Sequence, residues 1–250
     1  MSGRPLAGRR ALVTGGNRGI GRAIAQRLAA DGAAVTITAR SDDARAGAEA
    51  IGCALAIADV RDKDALARAC AAAAPIDILV NNAGIALSLP FLKHADADWE
   101  LTMATNLTPV FWACRLALPD MLARGWGRIV NIASTAGVRA YPYTAAYCAS
   151  KHGLIGLTRA LAIEFARQPV TVNAVCPGFT ATDMATRAIS AIEAQTGRSA
   201  KEARAALERL NPQNRLTEAE EVAAMVAFLC LPGSHGITGQ SLIISGGEVM

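Results

Sequence analysis

The residues best suited to proton chemistry stand together in "YTAAYCASKHG", positions 143–153, where Tyr147 and Lys151 are four apart. Small residues without a strong turn signal separate them, so the spacing predicts one helical face carrying a phenol and an ammonium one turn apart. A free phenol, with a pKa of about 10, is a poor base near neutrality, and an adjacent ammonium favours its ionised form. The pair is either an acid–base group tuned by its neighbour or an ordinary helical pair. With three tyrosines and four lysines in 250 residues, chance gives such a spacing in about one sequence in twenty. The rest of the chain must decide.

A second stretch with chemical character is "TGGNRGIG", positions 14–21. Glycines there permit a tight turn and a close backbone approach, and a helix starting at its end offers free N–H groups to a pyrophosphate. No GK[ST] follows, which disfavours a Walker-type phosphate loop. The candidate dinucleotide contacts are Gly15, Asn17, Arg18, Gly19, Ile20 and Gly21. The next strand-like run ends in "TAR", positions 38–40. A NAD site usually carries an acidic residue there for the adenine ribose, whereas this chain has Ala39 and Arg40. A guanidinium can pair bidentately with a 2′-phosphate that a carboxylate would repel, and Arg18 can add a second positive charge. Asp42 and Asp43 follow closely, although "RSDDA" also reads as Ser/Asp capping of the next helix. The expected cofactor is NADP(H), with NAD(H) as the alternative.

Such groups need a frame to position them. Short apolar runs recur at 11–15, 33–39, 54–60, 76–84, 128–134, 170–178 and 241–247, rich in Val and Ile and nearly continuous, as strands covered on both faces should be. Ala/Leu-rich segments with helical spacing, such as "GRAIAQRLAADG", lie between them. The expected fold is α/β: a single doubly wound, Rossmann-like domain over 1–250, with a seven-stranded mainly parallel sheet and helices on both faces. Residues 180–215 separate two runs by more than a crossover needs and read as helical. An insertion after a strand's C-terminal end is a natural substrate lid, or else a plain surface helix pair.

Bulk properties narrow the function classes. The chain is 52% apolar with a net charge of +4, has no run of like charges and no basic stripe with interleaved aromatics, and so nucleic-acid binding has no support. The six cysteines are scattered without CxxC or a His cluster, so no metal is expected. "MSGRPLAGRR" lacks an apolar signal core and no segment has the apolar length of a membrane span. A cytoplasmic protein with reduced thiols and no membrane partner is expected.

The order "TGGNRGIG", "ADV" (58–60), "NNAG" (81–84), "ATN" ending at Asn106, "IAS" ending at Ser134, "YCASK" (147–151), and "PGF" with "TDM" (177–184) resembles the short-chain dehydrogenase/reductase family over nearly the whole chain. The resemblance implies a catalytic set of Asn106, Ser134, Tyr147 and Lys151. Ser134 would orient the substrate oxygen, and Tyr147 would be the acid in ketone reduction and the base in alcohol oxidation. Lys151 would hold the nicotinamide ribose and lower the Tyr147 pKa. An ammonium about 5 Å away at an effective dielectric of about 20 supplies on the order of 3 kcal/mol, enough for a shift of about two units. Asn106 would retain a water that links Lys151 to solvent. Asp59 and Val60 would lie around adenine; Asn82, Ala83 and Gly84 beside the adenosine ribose and the sheet, with Asn82 alternatively structural. Pro177, Gly178, Thr180 and Thr182 would lie near the nicotinamide. Two departures are Thr180, where an aliphatic residue is common, and Ser245, where many relatives have Asp.

Within the family the chain looks most like bacterial 3-oxoacyl reductases and hydroxyacyl-CoA dehydrogenases, so the substrate expected is a small carbonyl or alcohol compound, foremost a 3-oxoacyl thioester. The lid cations Arg187, Arg198, Lys201, Arg204 and Arg209 suit a phosphopantetheine or CoA phosphate, or an ordinary solvated face. Gly125 and Gln168 stand where carrier-protein reductases usually present basic docking residues, which weighs against a carrier-protein substrate. Tyr141 and Tyr143 either line a pocket for a ring-bearing ketone or pack their loop. The alternatives are a dehydrogenase of a small secondary alcohol or cyclic ketone, and a dinucleotide-binding regulatory protein without turnover. The family also implies a homotetramer packed through long helices at 97–124 and 144–167.

Overall fold

In the computed structural model, which describes residues 3–250, each apolar run overlaps a strand: β1 (Arg10–Val13), β2 (Ala34–Ala39), β3 (Ala54–Ile57), β4 (Ile78–Asn81), β5 (Gly127–Ile132), β6 (Val170–Pro177) and β7 (Ser241–Ile244). They form one sheet in the order β3-β2-β1-β4-β5-β6-β7. Every neighbouring pair is parallel. The chain winds outward from β1 to β3, returns to pair β4 with β1, and winds out the other way. That reversal leaves a crevice at the C-terminal strand ends, where open α/β sheets bind ligands.

All residues of β4, β5 and β6 are buried. Helices cover both faces, so these strands are mostly apolar, with Asn81, Asn131 and Asn173 among the buried polar exceptions. On one face Ile24 and Leu28 of α1 (Gly19–Ala30), Ala48 of α2 (Arg45–Glu49), and Val222 and Val226 of α9 (Ala219–Cys230) pack on Val13, Ile37 and Val80. On the other, Leu66 of α3 (Lys63–Ala73), Val110 and Ala117 of α5 (Thr108–Ala123) and Leu154 of α6 (Ala145–Glu164) pack on Leu12, Leu79 and Ile129.

The expected long helix 97–124 is two helices, α4 (Asp96–Asn106) and α5, broken at Leu107 with φ −125° and ψ −54°. Pro109 in the first turn of α5 has no N–H to give, and the Val110 N–H reaches the Leu107 carbonyl at 3.1 Å. A buried polar chain sets the register of α6 on the sheet. Asn81 Nδ2 donates to Asn131 Oδ1 (2.8 Å), Asn131 Nδ2 to Thr158 Oγ1 (2.9 Å), and Thr158 Oγ1 to the Leu154 carbonyl (2.8 Å). An unmade partner in such a chain would leave a buried group unsatisfied, so slippage of α6 is costly.

Beyond β6 the chain makes an isolated parallel bridge between Thr180 and Thr217. The Ala181 N–H donates to Thr217 O and the Thr217 N–H to Phe179 O, both at 2.9 Å. Between these residues lie α7 (Asp183–Thr196) and α8 (Ala200–Glu208), packed through Ala185, Leu207 and Leu216 against Phe179, Ile189 and Ile192. Gly197 ends α7 at φ +69°, a left-handed cap that suits glycine, and Ser199 with Glu202 forms a capping box that starts α8. Among the described residues no helix is long and apolar enough to cross a membrane.

Candidate active site

The first turns of α6 bring Tyr147 and Lys151 to one face, with Lys151 Nζ 5.7 Å from the Tyr147 ring centroid. Lys151 is only 5% exposed, and its ammonium donates to the Ile132 carbonyl at 2.8 Å. Ser134 follows the end of β5 in extended backbone, and its hydroxyl accepts the Ala136 N–H at 3.1 Å. Asn106 ends α4, is buried, and ties two segments together. Its Oδ1 accepts the Ile85 N–H (2.8 Å), and its Nδ2 donates to the Ile85 carbonyl (2.9 Å) and to Ser150 Oγ (3.0 Å), next to Lys151. A Cβ placed on Gly84 would lie 3.2 Å from Asn106 Oδ1 and 3.7 Å from Lys151 Nζ. Four separate segments thus converge above the ends of β4 and β5.

One expectation is corrected here. The Tyr147 pKa is raised, not lowered: burial disfavours the phenolate and outweighs the opposing hydrogen bond with Ser134. The lysine that was to lower it is itself pushed down to about 8 by burial. Spacing reveals a neighbouring charge but not the loss of water around both groups. The Asn106 side chain also has both amide hydrogens engaged, so it fastens the loop after β4 to α6.

At the nucleotide end, Gly15 (φ +64°) and Gly19 (φ +50°) turn left-handed, and α1 starts without a side-chain cap, leaving its first N–H groups available. A Cβ on Gly21 would lie 2.3 Å from Asn82 Nδ2 and from the Gly15 carbonyl. Asn82 acts on this loop: its Nδ2 donates to the carbonyls of Thr14 (2.9 Å) and Gly15 (3.1 Å), the structural alternative for this residue. The N–H groups of Asn82 and Ala83 both donate to Thr14 Oγ1. Ile20 is half-buried and packs on the core, and Asn17 is exposed. A Cβ on Gly19 would lie 3.2 Å from Thr182 Cγ2, so the glycine loop meets the start of the insertion.

Arg18 and Arg40 are exposed and have no ion-pair partner among the described residues. The nearby acids are already engaged: Asp42 by Arg45 (2.9 Å from Nε), Asp43 by the Ser41 hydroxyl, and Asp59 by Arg61 (2.6 Å), which with Arg40 holds the Asp59 pKa below the ordinary range. The expected Ser41 cap is absent because that hydroxyl is turned to Asp43. Val60 is buried beside Asp59. Two free guanidiniums, an uncapped helix start and a glycine loop fit a dinucleotide bearing a 2′-phosphate. Pro177 closes β6 and the Gly178 N–H donates to Ile244 O (2.9 Å). Thr180 is buried with its hydroxyl on Gly178 O (3.0 Å), so that hydroxyl serves its own turn, whereas Thr182 faces the glycine loop. An open pocket of about 270 Å³ lies within the insertion itself, lined in part by Thr182, Thr186, Ile189 and Arg204. Among the described residues no cluster of three or more His, Cys, Asp or Glu suits a metal ion.

Glu248 was not foreseen. Its carboxylate accepts from the Tyr141 hydroxyl, which also bonds Thr135 Oγ1 at 2.8 Å, immediately after Ser134. No local pattern signals a partner so distant in sequence.

The family model for short chain dehydrogenase matches residues 9–193. The 3-oxoacyl-[acyl-carrier-protein] reductase FabG of Escherichia coli strain K12 is 40% identical over 253 residues, covering 97% of this chain and 98% of that protein. FabG of Haemophilus influenzae is 39% identical over 252 residues, covering 97% and 98%. A crystal structure of a variant actinorhodin polyketide ketoreductase with NADPH superposes with a TM-score of 0.93 at 38% identity and 99% coverage of both chains.

Proposed function

Since the chain belongs to the short chain dehydrogenase family and is an oxidoreductase of that kind, we propose that it transfers hydride between NADP(H) and a ketone or secondary alcohol, with a 3-oxoacyl thioester as substrate. The observation that carries this reading is the convergence of Ser134, Tyr147, Lys151 and Asn106 beside the glycine loop. NADP(H) is favoured by the unpaired Arg18 and Arg40, and by NADPH in the actinorhodin ketoreductase structure. Arg40 and Arg18 hold the 2′-phosphate, the loop Gly15–Gly21 the pyrophosphate, and Lys151 the nicotinamide ribose; Ala83 and Gly84, Asp59 and Val60, and Thr182 line the remainder. When bound, the nicotinamide supplies or takes the hydride.

The chain's own part is proton chemistry. Ser134 orients the carbonyl oxygen and Tyr147 gives it a proton. The raised Tyr147 pKa keeps that proton in place near pH 7, as an acid in ketone reduction requires. Lys151, with a pKa near 8, is mostly cationic at neutrality and steadies the phenolate left behind. Resupply reaches Tyr147 through Lys151, which a water held at Asn106 would link to solvent.

The named FabG and ketoreductase relatives support the thioester. The aromatic pair Tyr141 and Phe179, edge to face with centroids 6.3 Å apart, favours a cyclic or aromatic ketone as the second reading. Exposed Phe111 and Leu116 on α5 and Ile163 on α6 support a homotetramer packed through these helices. The test is a panel of ketones and alcohols, including acetoacetyl-CoA, with both cofactors, on wild type and Tyr147→Phe. Wild type should prefer the thioester and NADPH, and the variant should bind NADPH yet turn nothing over. An active phenylalanine variant refutes the mechanism, and NADPH binding without oxidation across the panel favours a regulatory role.

A further inference from the structure

One polar chain beside Ser134 is not used by the reaction as described. A phenol has a single proton and a carboxylate has none to give, so Tyr141 donates to Glu248 and accepts from the Thr135 hydroxyl. Burial and the carboxylate keep the Tyr141 pKa well above its ordinary value, so it remains a neutral donor. Glu248 is gripped from several sides. Its main-chain carbonyl accepts from Arg139 Nη1 at 3.2 Å, and that guanidinium lies 4.9 Å from the Tyr141 ring centroid. A Cβ on Gly178 would come within 2.9 Å of Glu248 Oε2. The tail reaches this place through Gly246 (φ +60°) and Gly247 (φ +94°), and a Cβ on Gly246 would collide with Asn211 Oδ1 at 2.1 Å. The carboxylate therefore sits where the Ser134 loop, the turn after β6 and the return of the α7–α8 insertion meet.

We propose that Glu248 is a positioning residue for the reduction: through Tyr141 and Thr135 it holds the Ser134 loop so that the serine hydroxyl meets the substrate carbonyl at a productive angle. The proposal rests on Ser134 orienting that carbonyl. Thr135 adjoins Ser134 in the chain, and the Ser134 hydroxyl already accepts the Ala136 N–H, so a shift of Thr135 moves both neighbours. Aspartate or glutamate at a tail end is usually a solvated charge; here it is half-buried and bonded to a phenol.

The experiment compares wild type, Glu248→Ala, Glu248→Gln, Tyr141→Phe and the Glu248→Ala/Tyr141→Phe double variant. Its readouts are kcat and KM for acetoacetyl-CoA, the NADPH Kd, and hydrogen exchange at the Ala136 amide. Each of Glu248→Ala and Tyr141→Phe should lower kcat by about tenfold to a hundredfold, the loss of one charge-assisted hydrogen bond. The NADPH Kd should stay within about twofold, and the double variant should be no slower than the slower single one. Glu248→Gln keeps an acceptor for the phenol and should recover to within about threefold of wild type. Exchange at Ala136 should quicken by about tenfold or more in Glu248→Ala and not in Glu248→Gln. Multiplying losses in the double variant, an unchanged kcat, or a firm Ala136 amide in Glu248→Ala would overturn the proposal. A loosened amide in an enzyme whose wild type reduces no ketone would instead strike the reading of the reaction and leave the coupling standing.

Discussion

Replacing Lys151 by methionine should abolish turnover and stabilise the protein. The ammonium is 5% exposed, bonds only the Ile132 carbonyl at 2.8 Å, and has no carboxylate partner among the described residues. Its pKa falls from 10.5 to about 8, a difference that corresponds to a penalty of about 3 kcal/mol for carrying the charge in the fold. The sign follows from proton counts. Below pH 8 both folded and unfolded chains hold the proton, and the penalty is full. From about 8 to 10.5 the folded chain has released a proton that the unfolded chain keeps, so this penalty shrinks as pH rises. Methionine removes the penalty but leaves the Ile132 carbonyl without its donor, a cost of about 1 kcal/mol. The variant should exceed wild type by about 2 kcal/mol at pH 7 and by about 1 kcal/mol at pH 9. The two proteins must be compared at each pH, because buried thiols pull the other way. Cys53, Cys70 and Cys176 rise to about 11, and Cys114 and Cys230 to about 12. Above their ordinary pKa they hold protons that the unfolded chain loses, which lowers the stability of both proteins. Urea unfolding at the two pH values measures the gap. A methionine variant less stable than wild type at pH 7, or a gap that fails to narrow by pH 9, refutes this account.

Arg40→Asp should cut the NADPH-to-NADH ratio of kcat/KM by about a hundredfold or more, through loss of a charge-assisted pair and gain of a repulsion; an unchanged ratio would sink the 2′-phosphate assignment. Gly21→Ala places a Cβ 2.3 Å from Asn82 Nδ2 and Gly15 O. It should weaken NADPH binding by about tenfold or more in a fluorescence titration, and unaltered affinity would move the nucleotide away from this loop. Tyr143 is 62% exposed at φ +66°. Tyr143→Gly should relieve about 1 kcal/mol of left-handed strain and raise Tm by about 2–4 °C, whereas a lower Tm would show that the ring packs.

The strands were legible because a strand covered on both faces is mostly apolar, and each run overlaps one. Their ends were less so. The run 76–84 stops pairing at Asn81, since the next amide side chain turns back to hold the glycine loop. The break at Leu107 was hidden because proline in a first helical turn is compatible with a helix. Tyr147 and Lys151 could be found by spacing, but the direction of their shifts depends on burial that arises only when β5, the loop after β4 and α6 close together. Glu248 had no signal at all: its hydrogen bonds reach Arg139 and Tyr141, 109 and 107 positions away, and a glutamate otherwise looks solvated.

The Thr180–Thr217 bridge has a consequence for how such a protein changes over generations. The chain departs from and rejoins the same place, side by side, so the interval between can lengthen, shorten or be exchanged without moving β6 or α9. Tyr147, Lys151, Ser134 and Asn106 all lie before that interval. A lineage can therefore acquire a new substrate by rewriting one tethered excursion, while inheriting its proton chemistry untouched.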